Sequence, residues 1–438
     1  MAGNLDTSKV AVVLGGYGLI GTACIKALLL SGFSVVGVGR SISLGIASNP
    51  DIRWLAQDLS VPFSEDLKTV LVSADVIVNA SGALQTGLRD DLDGVHVRSI
   101  AELIDAVSET KVRIVQVSAA GVSETATTEF MRSKYRGDTL LASSQLDWVI
   151  LRPTLVIGAH AYGGTALLRS VAAFPLLGLV ILPEAKIQTV YLDDVAKAVV
   201  VASRGDIASG TIAELTEHGE RTLTQTIVKL RQWQGFAPWA TTIALPNLAA
   251  AIVARGADLL GWLGWRSPLR TTALEALKEG VTGNPETWEA AGGFRCRSLE
   301  ETLRAIPATV QERWFARLYL ILPLVIAILS VFWVVSGVIG LVSYDDAVEV
   351  LTSRGSGEGF ASGAVLVGAG IDLMLGLAIL VRPWVRPACL GMIAVSLAYL
   401  IGATLWSGDL WLDPLGPIVK VIPATVLPLL ALGVLEKR

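Results

Sequence analysis

Apolar positions in this chain fall into two regimes. From Lys9 to about Val200, short continuous apolar runs alternate with longer segments of helical period. The runs Val10–Leu14, Ser34–Val38, Val76–Asn79, Arg113–Val117 and Trp148–Arg152 predict buried strands, with helices such as Ile20–Leu30 and Ser99–Ser108 between them. This alternation predicts an α/β fold with a doubly wound parallel sheet and helices on both faces. Ligands of such sheets bind at the carboxyl ends of the strands. After Arg313 and Arg317 the pattern changes to long apolar stretches: Leu318–Val342, Ala361–Val381, Val385–Trp406 and Gly416–Leu435. Each can cross a hydrocarbon core of ~30 Å at about 1.5 Å per residue, which predicts an all-α four-helix transmembrane bundle.

Between these regimes the chain is mixed. Val171–Pro183 is apolar but too short to span, and its default reading is core cover. Leu245–Trp265 is apolar enough to attract a membrane assignment, but Arg255 and Asp258 interrupt it and its glycines weaken it. It reads as a buried or interfacial helix. The resulting division is residues 1–210 as the α/β domain, 211–312 as a small mixed region, and 313–438 as the membrane domain.

Composition agrees with membrane spans. The chain has 438 residues, 52% hydrophobic, and a mean hydropathy of +0.59, too apolar for an ordinary soluble enzyme. A net charge of −4 without a basic stripe gives no nucleic-acid signal. Cys24, Cys296 and Cys389 lie too far apart in sequence for a disulfide framework or zinc site, and His160 and His218 stand apart from any ligand cluster. The opening MAGNLDTSK has no charged-then-apolar leader, so the first domain is expected to stay on the side of synthesis. Arg313, Arg317, Arg382, Arg386, Lys437 and Arg438 fall on one side of the four spans. Asp345, Asp346, Glu349, Glu358, Asp409 and Asp413 fall on the other. The positive-inside rule then puts both termini in the cytoplasm, with the chain integral to the cell (inner) membrane.

The first strand leads directly into candidate chemistry. Gly15, Gly16, Tyr17, Gly18, Leu19, Ile20 and Gly21 form a glycine-rich turn between a buried strand and a helix. Such a turn points backbone N–H groups and a helix N-terminus at a diphosphate, which predicts a dinucleotide partner. Where an NAD site usually carries an acidic residue at the end of the second strand, this chain has Arg40 followed by Ser41. An arginine there suits a 2′-phosphate and favours NADP(H) over NAD(H). A solvated surface arginine is the alternative reading.

GGYGLIG, QDLS at Gln57–Ser60, NASG at Asn79–Gly82 and VSAAG at Val117–Gly121 resemble the short-chain dehydrogenase/reductase superfamily. ILRPTLVIG and IQTVYLDDVAKAV narrow the resemblance to its atypical members, the group that includes the nucleotide-binding accessory subunit of respiratory complex I. The resemblance makes the sheet a Rossmann sheet. It implies that Asp58 and Leu59 lie near the adenine and that Ala80, Ser81 and Gly82 back the cofactor. It also implies that Ser118 and Lys134 lie near the nicotinamide. Active members carry Tyr-x-x-x-Lys, whose tyrosine passes a proton to a carbonyl. Here the segment is Phe130-Met131-Arg132-Ser133-Lys134. Phenylalanine has no proton to give, and such acid–base work contributes ~10²–10⁴-fold. Tyr135 points about 100° away from Lys134 on a helix, and Tyr162 is a second tyrosine in reach of the site by sequence alone. Lys134 then either orients the ribose in catalysis or only holds it, and Ser118 either bonds the substrate or lines the pocket.

The four spans resemble the DoxX-like membrane family in topology and length, which implies a link to quinone-related redox systems. Asp372, inside the second span, should face the bundle and have a partner there. A proton or quinone role competes with simple helix–helix hydrogen bonding. Lys420, near the outer end of the fourth span, can snorkel to the surface.

Three functions remain open from sequence. The first is a membrane-anchored NADP(H)-binding oxidoreductase acting on an apolar, quinone- or lipid-like substrate at the cytoplasmic face. The second is a catalytically inactive nucleotide sensor or assembly subunit of a membrane redox complex. The third, sugar-nucleotide epimerisation, needs the missing tyrosine and fits the apolar tail poorly.

Overall fold

A computed structural model describes residues 8–83, 91–265, 270–414 and 416–435. Lys437 and Arg438, which contributed to the charge pattern, lie outside the described residues. The chain divides into two compact units, Met1–Ala257 with Pro268–Arg313, and Asp258–Ser267 with Trp314–Arg438.

In the first unit, β1 (Val10–Leu14), β2 (Ser34–Gly39), β3 (Arg53–Ala56), β4 (Val76–Asn79), β5 (Arg113–Val117) and β6 (Asp147–Pro153) join a seventh strand, Thr211–Leu215. The order across the sheet is Thr211–Leu215, β6, β5, β4, β1, β2, β3. Every pairing is parallel. The order in which strands are added therefore reverses between β1 and β4, the switch point at which open α/β sheets bind ligands. Successive side chains of a strand point to opposite faces, and both faces are covered here. Ala11, Val13, Val76, Val78, Val115 and Val149 pack with Cys24, Ile25 and Leu28 of helix Leu19–Leu30. Val12, Leu14, Ile77, Ile114 and Ile150 pack with Leu67, Leu71, Ile100 and Leu103 on the other side. Burial on both faces is why these strands read as continuous apolar runs.

The two edge strands were not among the predicted ones. Arg53–Ala56 and Thr211–Leu215 each face solvent on part of their surface, and Ile212 is 41% exposed. Their residues therefore mix polar and apolar types too finely for a run to show. Trp54 of β3 fills the space over Gly16, Gly37 and Gly45. A Cβ at Gly37 or Gly45 would lie 2.5 Å from its ring, and one at Gly16 would lie 3.0 Å away.

Among the described residues, four helices are long and apolar enough to cross a membrane, within Val310–Val342, Glu358–Ala378, Arg382–Leu405 and Pro417–Val434. Helix Tyr344–Thr352 follows the first of these and carries Asp345 and Asp346 in its first turn, where its dipole favours them. Helices Ile321–Val342 and Glu358–Ala378 pack closely. Ser330 donates to the carbonyl of Gly376 at 2.7 Å, and Ser336 donates to Asp372 Oδ2 at 2.7 Å. Asp372 is thus buried in the bundle with Ser336 as its partner, which is how a carboxyl within a span is tolerated. The segment read as a buried or interfacial helix forms helix Asn247–Trp262, with Ala254 and Ala257 buried and most of its larger apolar side chains exposed.

Candidate functional site

β1 ends at Leu14 and the glycine turn begins at once. Gly15 has φ +72°, a left-handed conformation that disfavours any side chain, and a Cβ there would lie 2.8 Å from Ser81 Cα. Gly21 is tighter still, since its Cβ would lie 2.3 Å from the Gly15 carbonyl oxygen. The turn is fixed by Gly16 N–H donating to the Val38 carbonyl (3.0 Å) and Gly18 N–H donating to Gly15 (3.0 Å). Gly18 is the N-cap of helix Leu19–Leu30, and Leu19, Ile20 and Gly21 form its first turn, whose N–H groups have no intrahelical acceptor. The Tyr17 ring lies against Gly39 at the end of β2. A narrow, side-chain-free cradle beside a helix N-terminus fits a dinucleotide diphosphate.

The other predicted positions lie along the same edge of the sheet. Arg40 follows Gly39 and is exposed. Ser41 caps helix Ile42–Ser48 and its hydroxyl lies 3.0 Å from that of Ser43. Asp58 Oδ1 accepts from the amide (2.9 Å) and hydroxyl (2.7 Å) of Ser60, and Leu59 is buried beside it. Gln57 steadies this loop through its own bonds to Asp58, Pro62 and Ser64. After β4, Ala80 and Ser81 pass directly behind Gly15, and the Ser81 hydroxyl donates to Asn79 Oδ1 at 2.5 Å. Gly82 sits where a Cβ would be 3.7 Å from both Lys134 Nζ and His96 Nε2. The fold thus brings Gly15, Gly21, Ala80, Ser81, Gly82 and Lys134 into one neighbourhood.

Lys134 and Ser118 complete it. Lys134 is on the buried face of helix Glu129–Ala142, and its ammonium donates to the Val117 carbonyl at 3.3 Å, at the end of β5. Burial pushes its pKa down, opposed by the charge of Asp138. Ser118 donates its hydroxyl proton to Asp138 Oδ2 at 2.8 Å, and Arg152 of β6 holds the same oxygen through Nε (3.0 Å) and a terminal nitrogen (2.9 Å). Asp138 is 2% exposed, and burial raises its pKa against the pull of Arg152 and Ser118. The Phe130 ring stands 5.9 Å from Lys134 Nζ and edge-on to His96, with centroids 5.7 Å apart. Both His96 nitrogens are engaged: Nε2 accepts from the Ala83 amide (3.2 Å), which leaves Nδ1–H to donate to Ser133 Oγ (2.8 Å). Burial, with Lys134 and Arg136 nearby, drops the imidazole pKa to about 2, so it stays neutral.

His96, Asp138 and Arg152 escaped the sequence reading. Asp138 had a signal available, since it lies four residues after Lys134 and therefore on the same buried helix face. His96 had none, because it reaches Ser133 across 37 residues from an irregular helical turn. Of the two tyrosines considered as substitutes, Tyr135 lines a surface cavity of about 580 Å³ with Val97, Arg132 and Arg136, away from Lys134. Tyr162 is 45% exposed at the start of helix Gly163–Ala172. Among the described residues, no group of His, Cys, Asp and Glu could hold a metal ion.

Residues 15–168 match the NAD(P)H-binding family model, and residues 330–429 match the DoxX-like family. The chain is 28% identical over 212 residues to NADH dehydrogenase [ubiquinone] 1 alpha subcomplex subunit 9, mitochondrial, of Arabidopsis thaliana. That match covers 46% of this chain and 51% of the plant protein, so the chain spans about half the length of the curated relative. Among solved structures, the NADPH-dependent quinone oxidoreductase QOR2 of Escherichia coli, complexed with NADPH, superposes with a TM-score of 0.52 at 19% identity. It covers 67% of this chain and 99% of that one. The Bordetella bronchiseptica enzyme WbmG, in complex with NAD, gives a TM-score of 0.52 at 14% identity, covering 70% and 95%. At these identities both show the fold alone. Their ligands, NADPH in one and NAD in the other, leave the choice of dinucleotide open. The chain joins an NAD(P)-binding, Rossmann-type oxidoreductase-like domain to a DoxX-like domain with four candidate transmembrane helices.

Proposed function

We propose that the protein is a membrane-anchored oxidoreductase that uses NADP(H) and acts on an apolar, quinone-like substrate at the cytoplasmic face of the cell membrane. One observation carries this reading. Among the described residues around Lys134, the side chains that could take the place of the missing tyrosine hold no outward proton. Phe130 has none, His96 is neutral with both nitrogens engaged, and Ser118 directs its hydroxyl proton inward to Asp138. A bound nicotinamide would supply hydride. Lys134 holds the ribose, Ser118 offers its oxygen lone pairs to the ligand, and Gly15 to Gly21 cradle the diphosphate. A quinone ring tolerates the missing donor best, since its reduced oxygens take protons from water. Arg40 supports the 2′-phosphate, and tethering to a membrane raises the effective concentration of a bilayer-borne substrate.

The plant relative keeps a second reading in play. Its name makes it a subunit of NADH dehydrogenase [ubiquinone]. On that reading this chain holds its nucleotide without turnover, as part of a membrane redox complex. The detergent-solubilised chain, given NADPH and a short-chain quinone, separates the two. Quinone-dependent NADPH oxidation is the expected result. No oxidation, together with a rise in thermal midpoint on adding NADPH, would overturn the enzyme reading and leave the subunit.

A further inference from the structure

Ser118 stands at the carboxyl edge of the sheet, directly after β5, and Lys134 reaches the same edge by donating to the Val117 carbonyl. The two side chains offer a ligand different things. A lysine ammonium has three N–H donors and no acceptor, and one of the three is taken by Val117. A serine hydroxyl has one proton and two lone pairs, so the direction of that proton decides what it presents. Phe130 and His96 add nothing here, since one is a hydrocarbon ring and the other has both nitrogens engaged.

The Asp138–Arg152 pair fixes the serine proton. Asp138 Oδ2 accepts from two N–H groups of Arg152, at 3.0 and 2.9 Å, and lies 2.8 Å from Ser118 Oγ. An oxygen that accepts two guanidinium N–H bonds carries no proton of its own. In a neutral carboxyl that proton sits on Oδ1, which is buried and without a hydrogen-bond partner. Ser118 is therefore the donor to Oδ2 in either charge state of Asp138. Asp138 and Ser118 are both buried, so water does not compete for this bond. What Ser118 keeps for a ligand is its lone pairs alone.

We infer that the site selects its ligand by polarity, holding an aromatic O–H against Ser118 Oγ and so preferring the reduced, hydroquinone-like form of its substrate to the oxidised one. Asp138 and Arg152 are the positioning residues that set this choice. A carbonyl oxygen beside Ser118 meets lone pair against lone pair, whereas the same oxygen once reduced and protonated donates to it. This deepens the oxidoreductase reading and rests on it for the place of the substrate beside Ser118.

The test measures binding of two redox-inert probes, 4-butylphenol and 4-butylanisole, to the detergent-solubilised full chain with excess NADP⁺. Both can accept from Lys134, and only the phenol can donate. The phenol-to-anisole affinity ratio of the parent should exceed that of Ser118→Ala by about 2- to 12-fold, the worth of one neutral hydrogen bond. Comparing ratios cancels the unequal partition of the probes into detergent. Asp138→Asn leaves a carbonyl oxygen for Arg152 and Ser118 and should keep the parent ratio. Asp138→Leu combined with Arg152→Met frees the serine proton to donate to the ether, and the ratio should fall toward that of Ser118→Ala. A parent that binds neither probe, or a Ser118→Ala ratio equal to the parent's, would overturn the inference. A double variant that weakens both probes alike at the parent ratio would overturn the role of Asp138 and Arg152. Quinone-dependent NADPH oxidation by the same preparation reports the enzyme reading separately: oxidation with no ratio change in Ser118→Ala sinks the inference and leaves that reading standing.

Discussion

Replacing Gly21 with alanine isolates what the glycine turn contributes. On helix propensity alone, Gly→Ala in a first turn should stabilise by up to ~1 kcal/mol. Here the new methyl would lie 2.3 Å from the Gly15 carbonyl oxygen, whereas ordinary contact begins at 3.4 Å, so the two must separate by 1.1 Å (3.4 − 2.3). The neighbouring atoms are backbone, held by the Gly16–Val38 and Gly18–Gly15 bonds, and cannot rotate away. Overpacking of this kind costs about 1–3 kcal/mol, and loosening one turn hydrogen bond adds about 0.5–1.5 kcal/mol. After subtracting the propensity gain, the net loss is about 0.5–3.5 kcal/mol, or several degrees in the midpoint of the nucleotide-binding unit. Shifting the amides away from the diphosphate by a similar distance removes at least one charge-assisted bond of ~1.5–3 kcal/mol, a tenfold to hundredfold loss of NADPH affinity. Gly164→Ala is the control. It too lies in the first turn of a helix, and its Cβ would meet nothing within 4 Å, so the same substitution should be neutral or stabilising there. Thermal midpoints and NADPH titrations of the solubilised chain read both variants. The steric account fails if Gly21→Ala shifts the midpoint in the same direction as Gly164→Ala, or if it binds NADPH like the parent.

Arg40→Asp should weaken NADPH far more than NADH in direct titrations; equal losses would remove Arg40 from the 2′-phosphate. Asp138 gives a pH signature. Its folded pKa lies above the ordinary value of 3.8, so the fold retains a proton that the unfolded chain has released. This contribution to stability is fully present below 3.8, is lost as pH rises through the folded value, and is flat above it. Asp138→Asn should therefore remove that fall, so its midpoint should climb with pH relative to the parent between 3.8 and the folded value, and identical slopes for variant and parent would refute the assignment.

Much of this architecture is legible in the residues. Strands covered on both faces announce themselves, as Val10–Leu14 does, because nothing polar is admitted on either side. The edge strands do not, since one flank meets water. The site divides the same way. The cradle is local, and glycines in a strand–turn–helix context reveal it. The polar group set around Lys134 is not local: Ser118, Asp138 and Arg152 meet across 34 residues, and His96 enters from a turn with no periodicity. Sequence named Phe130 as the departure from the Tyr-x-x-x-Lys pattern, but which way Ser118 points its proton is a property of the assembled fold.

Trp54 and the glycines it covers form a single unit of variation. A side chain at 37 or 45 is barred only while the indole lies over it, and the indole is accommodated only while those positions stay bare. A chain with a smaller residue at 54 would have room for alanine or serine at 37 and 45, whereas position 16 would still face Ile25 at 3.0 Å. Positions 37, 45 and 54 are thereby bound to change together.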